Sequence, residues 1–506
     1  MKQKASNNLE LLKQVNFGDI DGLYDPNINE YFIDNHYKSS ILKENAYFVI
    51  GRKGTGKSAL YNWLHRNQVE DGIMVSNKSF NDFPFEKLLQ LSDDDFAKPN
   101  QYQSIWKNII FSELAVLLTS DQSNPIDDNL LELNTYINHV FGVNLTDLHK
   151  EITRKVRKLS NTIGYDSTCI GTNNTTEKEL YDGYRNLTKI NDRLYRLLDN
   201  YLKRNPTKQY VIQFDQLDDN YSVFVNNTNY IQCIISLFKS IYQINQSFRM
   251  VNIPVKIVAY LRSDIYNQFN KFDPESSRWE QYVLKLNWAI INRSDWHDSD
   301  LLKLLNARIK NSLPELKGNS LFHTIFNKYI IGLNANKRKN GEGEDIFKYI
   351  VHRSFQRPRD IIQFCIKIQN EARSTNTLNY HTIKNAEKEY SLWLLGEIEN
   401  EIAPIMKDTE SLYELLRLMG RSYYTVSAFK SKFQIYSTKF NNIDVEQVLR
   451  ILYNFGIIYN ARVEANKIQE QFSIIRNDRS VFNRDLNIIT HSGFYEGLHT
   501  SKFLNR

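Results

Sequence analysis

Short apolar runs punctuate the first three hundred positions, with longer stretches of helical periodicity between them. "AYFVI" (46–50), "GIMVSN" (72–77), "YVIQFD" (210–215), "VKIVAYL" (255–261) and "YVLKLNW" (282–288) read as five strands. They are dominated by apolar residues rather than alternating with polar ones, so both faces are expected to be covered. Segments such as "NYIQCIISLFKSIYQINQSF" supply the covering helices. Strands alternating with helices predict a parallel sheet. Between the second and third strands the pattern is amphipathic helix, as in "SIWKNIIFSELAVLL" and "YRNLTKINDRLYRLLDNYL", broken by a polar loop at 167–178.

Past residue 290 the strand pattern stops. "DSDLLKLLNARIKNSL", "FHTIFNKYII" and "RPRDIIQFCIKIQNEA" are expected as helices, and "NANKRKNGEGED" as a loop. From about 408 the order becomes three short helices, "TESLYELLRLMG", "TVSAFKSKF" and "DVEQVLRILYNFGIIYNA", and then strand-like "KIQEQFSII". That is the plan of a winged helix. The predicted division is an N-terminal arm (1–45), an α/β nucleotide domain (46–290) with a helical insertion at about 95–205, a helical lid (291–400) and a winged-helix-like domain (401–506). A chain of 506 residues suits such a multidomain plan.

Composition narrows the classes. Lys+Arg is 64 against Asp+Glu 58, a net charge of +6, so the balance alone does not identify a nucleic-acid partner. Cys169, Cys233 and Cys365 are far apart, which argues against a disulfide framework or a zinc site. The polar N-terminus lacks a signal core and no run is long enough to span a bilayer. The expectation is a cytoplasmic protein with no membrane partner.

The chemistry concentrates in "GRKGTGKS", in which Gly51-Arg52-Lys53-Gly54-Thr55-Gly56-Lys57-Ser58 matches G-x-x-x-x-G-K-[ST]. Glycines let backbone N–H groups approach phosphate oxygens, and the following helix, through Ala59, points its positive end at them. Lys57 is expected to bridge the β- and γ-phosphates and Ser58 to ligate Mg²⁺. Asp215 ends an apolar strand and is the expected magnesium partner. Asp218 is the candidate for polarising the attacking water, with Asp219 behind it; both also suit a helix cap. Arg262 reaches the γ-phosphate if its strand neighbours the loop strand, or else pairs with Asp264. Arg359, in "RPRD", is the lid candidate, with Arg357 and Arg353 as competitors and an exposed basic helix start as the plain alternative.

These motifs, in this order, resemble AAA+ and STAND-type P-loop ATPases, most closely the bacterial ATPases related to the Orc/Cdc6 and KAP groups. The resemblance covers roughly residues 46–395, and the terminal domain less closely. It implies Walker A residues at Gly51, Gly56, Lys57 and Ser58, Walker B at Asp215, sensor 1 at Arg262 and sensor 2 at Arg359. Gln216 stands where many hydrolytic relatives carry glutamate, which implies slow turnover. Arg278 and Arg293 are the arginine-finger candidates. ATP as the nucleotide and a role in prokaryotic anti-phage defence are implications of the resemblance alone.

"DWHDSD" (295–300) places acids around His297, and a solvated helix start explains it better than a metal cluster. Lys430, Lys432 and Lys439 lie in or beside a candidate recognition helix, and a separate basic stretch at 149–161 is expected to be a solvated helix face, with a nucleic-acid contact as the alternative. The reading is an ATP- and Mg²⁺-dependent switch or assembly module, able to form homo-oligomers and acting on a separate effector. An origin-type ATPase that binds DNA through the winged helix and a non-hydrolysing nucleotide-stabilised scaffold are the alternatives.

Overall fold

The computed structural model describes residues 2–81, 85–89, 100–141, 177–206, 208–218, 228–290, 296–326, 329–330, 344–406, 408–420, 422–436, 444–464, 467–473, 475 and 480–500. Asp219, Arg293, Lys439, Cys169, the basic stretch at 149–161 and most of both predicted polar loops lie outside the described residues. The described chain forms two compact units: residues 34–53 with 57–286, and residues 1–33 and 287–506 with the three loop residues Gly54–Gly56.

The first unit is built on a parallel sheet of five strands: β1 (Phe48–Gly51), β2 (Ile73–Ser79), β3 (Gln209–Asp215), β4 (Val255–Arg262) and β5 (Val283–Lys285), in the spatial order β2-β3-β4-β1-β5. β1 is buried along its whole length, and β3 from Tyr210 onward, as the unalternating apolar runs require. β5 stops at Lys285, short of the expected 288. Register aligns the carboxyl ends, with Gly51 opposite Arg262 and Ser79 opposite Asp215. Helices Lys57–Arg66, Gln103–Ser120 and Thr228–Met250 flank the sheet, and Glu177–Arg204 packs against Gln103–Ser120.

Polar side chains tie these layers together. The Trp106 indole donates to Cys233 O at 2.9 Å. Asn245 brackets β4, donating to Ile257 O at 2.8 Å and accepting from Ile257 N at 2.9 Å. Gln213 is fully buried in β3, where it donates to Tyr61 O and to Asn77 Oδ1 and accepts from the Tyr260 hydroxyl. Its amide is thereby satisfied in a place where an unpaired one would be costly.

The second unit is largely helical, with an antiparallel sheet in its C-terminal part. Helices Pro358–Thr375 and Tyr380–Ile402 pack together. Pro358 occupies the first turn of one, and Asn379 caps the other in a capping box with Thr382. A two-residue ladder, β6 (Tyr329–Ile330) with β7 (Glu344–Asp345), replaces part of the helix expected over 322–331, which ends at Phe326. Helices Thr409–Met419, Val426–Tyr436 and Val445–Asn454 precede β9 (Ile458–Glu464), β10 (Lys467–Phe472) and β11 (Asn487–Thr490). With β8 (Tyr423–Tyr424) these strands form an antiparallel sheet in the order β10-β9-β11-β8. The N-terminal segment also belongs here. Leu9 and Leu12 are core residues, Gln369 donates to Leu12 O and Val15 O, and the Arg308 guanidinium lies 4.2 Å over the Tyr31 ring.

Candidate nucleotide-binding site

The carboxyl edge of the parallel sheet gathers the titratable residues. In open α/β sheets this edge, where the strand order reverses, is where ligands bind. β1 runs through the glycine loop into helix Lys57–Arg66, with Gly54 at φ +82° and Gly56 at φ +93°. Side chains other than glycine rarely adopt these conformations. A Cβ at Gly54 would also lie 3.1 Å from Arg359 Cβ. The Arg359 N–H donates to Gly54 O at 3.4 Å, and the Trp288 indole donates to Thr55 O at 2.9 Å. Thr55 and Lys57 are buried, while Arg52, Lys53, Ser58 and Ala59 are half-buried.

Lys57 donates to two carbonyls of its own loop, Gly51 O at 3.0 Å and Arg52 O at 3.3 Å. Burial lowers its pKa against the pull of Asp218 and Asp215. Asp215 is 2% exposed. Burial pushes its carboxyl up to about 6, opposed by hydrogen bonds from Ser58 and the Gln216 backbone and by the Lys57 charge. Asp215 Oδ2 has no hydrogen-bond partner. A buried carboxylate oxygen without a donor beside a serine hydroxyl is an oxygen donor set suited to a hard divalent cation. Ser58 and Asp215 therefore fit magnesium.

Arg262 sits beside the loop strand, because β4 neighbours β1. It forks onto Asp264 at 3.0 and 2.7 Å and lies 3.8 Å from Asp218 Oδ2. Burial raises the Asp264 pKa, but the Arg262 charge and hydrogen bonds outweigh it and hold the carboxyl below its ordinary value. The pair with Asp264 weighed from the sequence is thus present, and Asp218 lies within reach of the same guanidinium. Gln216 takes a left-handed conformation, φ 60°, and accepts from Ser79 Oγ. The sequence pattern ends the second strand at 77 and gives no signal for Ser79; the longer β2 carries it to the carboxyl edge.

The three arginines of "HRSFQRPRD" separate clearly. Arg353 is committed to Glu387 and lies over the Tyr349 ring. Arg357, 1% exposed, is committed to Asp360 at 2.8 and 2.9 Å and to Glu401 at 3.3 Å. Arg359 pairs with Glu397 at 3.2 Å and keeps a buried Nε with no hydrogen-bond partner. Arg278 is exposed, 3.6 Å from Glu275. In the C-terminal part Lys430 and Arg484 both pair with Glu446, at 2.7 and 2.9 Å, and Lys432 is exposed.

A five-stranded parallel sheet with flanking helices, and a glycine loop leading from β1 into a helix, make the first unit an α/β P-loop NTPase fold. A family model described as the FunZ-associated C-terminal helical domain matches residues 299–399. A putative transposon gamma-delta 80.3 kDa protein of Escherichia coli (strain K12) is 24% identical over 409 residues, which cover 79% of this chain and 52% of that protein. The chain thus spans about half the length of that curated relative. Among solved structures, the crystal structure of Cdc6p from Pyrobaculum aerophilum matches with 12% identity and a TM-score of 0.28, over 91% of this chain and 89% of that one. A likeness at that level carries no argument. Among the described residues no helix is long and apolar enough to cross a membrane.

Proposed function

We propose that the chain is an ATP-binding, Mg²⁺-dependent, slowly hydrolysing ATPase that works as a nucleotide-controlled switch or assembly module. The observation that carries this reading is Asp215, a buried carboxyl at the end of β3 with one unpartnered oxygen and the Ser58 hydroxyl on it. Lys57 now bonds its own loop carbonyls, and a bound phosphate would take over its ammonium. The loop N–H groups and the helix N-terminus supply further positive potential. Magnesium, held by Ser58 and Asp215, would offset phosphate charge. Asp218 is the group proposed to orient and deprotonate water, and Arg262, 3.8 Å from it, both steadies that carboxylate and offers positive charge to the γ-phosphate. Gln216 in place of an acid leaves Asp218 as the base, which supports slow turnover.

The switch acts in this reading on a separate effector in the cytoplasm, with anti-phage defence as the setting, a role that rests on the family resemblance. DNA binding by a C-terminal winged helix has less support, because Glu446 already holds Lys430 and Arg484. The test is γ-phosphate release from radiolabelled ATP, wild type against Lys57→Ala, with and without duplex DNA. Turnover at least about a hundredfold lower in the variant is expected, the usual scale for removing a transition-state charge. Equal turnover in both proteins sinks the reading; stimulation by DNA revives the origin-type alternative.

A further inference from the structure

The turn of the glycine loop is held by its carbonyls. Gly54, Thr55 and Gly56 belong with Trp288 and Arg359 to the helical unit. Two successive carbonyl oxygens of the turn are bonded there: Gly54 O accepts from the Arg359 N–H at 3.4 Å, and Thr55 O from the Trp288 indole N–H at 2.9 Å. The first bond follows from how helix Pro358–Thr375 begins. Its N-cap is Arg357 and its first position is proline, which has no N–H. Arg359 therefore carries the first donor of the helix, one of those that find no carbonyl within it. Gly54 O supplies the acceptor. The second bond is particular to tryptophan. Trp288 is half-buried and packs against the core of the helical unit, a place any large apolar side chain could fill, and among these only its indole adds a strong donor.

The two donors are tied to each other. Gln356 takes a left-handed conformation, φ 54°, and its side-chain oxygen accepts from the Ile290 N–H at 2.7 Å. A residue other than glycine keeps such a conformation only where its surroundings over-determine it. Arg357 next to it is fixed to Asp360 and Glu401. The segment that carries Trp288 and the helix start that carries Arg359 thus form one frame, and both of its donors meet the loop turn.

Holding a carbonyl also aims an N–H. In a planar trans peptide the N–H of one residue points opposite to the C=O of the residue before it. With the Gly54 carbonyl turned to Arg359, the Thr55 N–H faces the other way. With the Thr55 carbonyl turned to Trp288, so does the Gly56 N–H. Successive N–H groups aimed together make an anion-binding concavity. We infer that Trp288 is a positioning residue for nucleotide phosphate: its indole N–H sets the peptide that carries the Gly56 N–H before the ligand arrives. Less ordering of the loop is then left for the ligand to bring about, which raises affinity. The inference rests on the nucleotide-binding reading of the loop and adds to it a residue outside the loop.

Trp288→Phe keeps an aromatic ring on the core and removes the donor. ATP and ADP would be titrated with Mg²⁺ by calorimetry into the full chain, this variant and Lys57→Ala, with steady-state ATP turnover followed in parallel. Both nucleotides are expected to bind Trp288→Phe about fivefold to tenfold more weakly, the effect of one lost hydrogen bond. The factor is the same for both, because loop N–H groups cradle the α- and β-phosphates that ATP and ADP share. KM rises by that factor while kcat stays within about twofold, the pattern of lost uniform binding. Damage to the fold would instead lower the fraction of protein that binds, and kcat with it. Wild-type affinity in Trp288→Phe, with binding lost in Lys57→Ala, overturns this inference alone. So does a loss confined to ATP, or a fall in kcat at unchanged KM. Failure of the wild type to bind either nucleotide overturns the proposed function and this inference together.

Discussion

Asp215→Asn should make the nucleotide-free protein more stable at neutral pH while abolishing Mg²⁺-dependent turnover. Burial raises the Asp215 carboxyl from its ordinary 3.8 to about 6, which corresponds to about 3 kcal/mol at roughly 1.4 kcal/mol per pH unit. Because the folded-state pKa is raised, the stability this group allows is full below about 3.8. It is lost as pH rises through about 6, and the loss is complete at pH 7. Asparagine keeps the shape and has no charge to desolvate. Its amide nitrogen, at the position of the unpartnered Oδ2, meets no acceptor and costs about 1 kcal/mol. The net expectation is a gain of about 2 kcal/mol at pH 7 that shrinks as pH falls and becomes a deficit of about 1 kcal/mol below 3.8. Urea unfolding at several pH values, followed by hydrogen exchange of the β3 amides, measures it without nucleotide or magnesium. A variant no more stable than wild type at pH 7, with no narrowing of the gap toward pH 4, would refute the desolvated carboxyl and with it the argument for a cation there.

Three further expectations follow from other residues. Arg357→Ala leaves Asp360 and Glu401 as buried carboxylates without their cation, so it should cost about 3–5 kcal/mol in urea unfolding of the helical unit. Glu387 is held down to about 2 despite burial, chiefly by Arg353 and then Lys384. Its stabilisation is complete above the ordinary 4.5 and lost as pH falls through about 2, and Glu387→Gln should flatten that acid dependence of the same transition. Gly54→Ala places a Cβ at φ +82° and 3.1 Å from Arg359 Cβ, so ATP affinity by equilibrium binding should fall about tenfold or more while the far-ultraviolet circular dichroism is unchanged.

What was legible from sequence followed the strength of the local signal. All five strands of the parallel sheet were drawn from runs such as "FVI" and "YVIQF", because burial on both faces leaves an unbroken apolar stretch. The spatial order was not legible: that β4 lies against β1, and so brings Arg262 beside the loop, is a long-range pairing that no window of residues encodes. β6 and β7 are two residues each and were absorbed into neighbouring patterns. The arginines near Pro358 looked equivalent in sequence, and only their partners tell them apart. Glu387 and Glu401 lie thirty-four and forty-four residues away. The place of residues 1–33 was likewise hidden, since Arg308 finds Phe17 O across most of three hundred positions.

The opposite shifts of Lys57 and Asp215 have one cause, and it bears on what the site can do. Water is withdrawn from both groups, and burial opposes charge of either sign, so the ammonium is lowered and the carboxyl raised although they attract each other. Both groups are therefore charged at a desolvation cost. Phosphate favours the charged lysine and a divalent cation favours the charged aspartate, so nucleotide and metal each offset part of the cost that burial imposes on these charges. Each also removes a cost the other would meet alone, because the charge that enters with one screens the charge of the other. Binding of the two is expected to be coupled for this reason, and the coupling needs no movement of the sheet. A site arranged in this way discriminates between the empty and the doubly loaded state more sharply than one whose charges are already satisfied, which is the property a nucleotide-controlled switch requires.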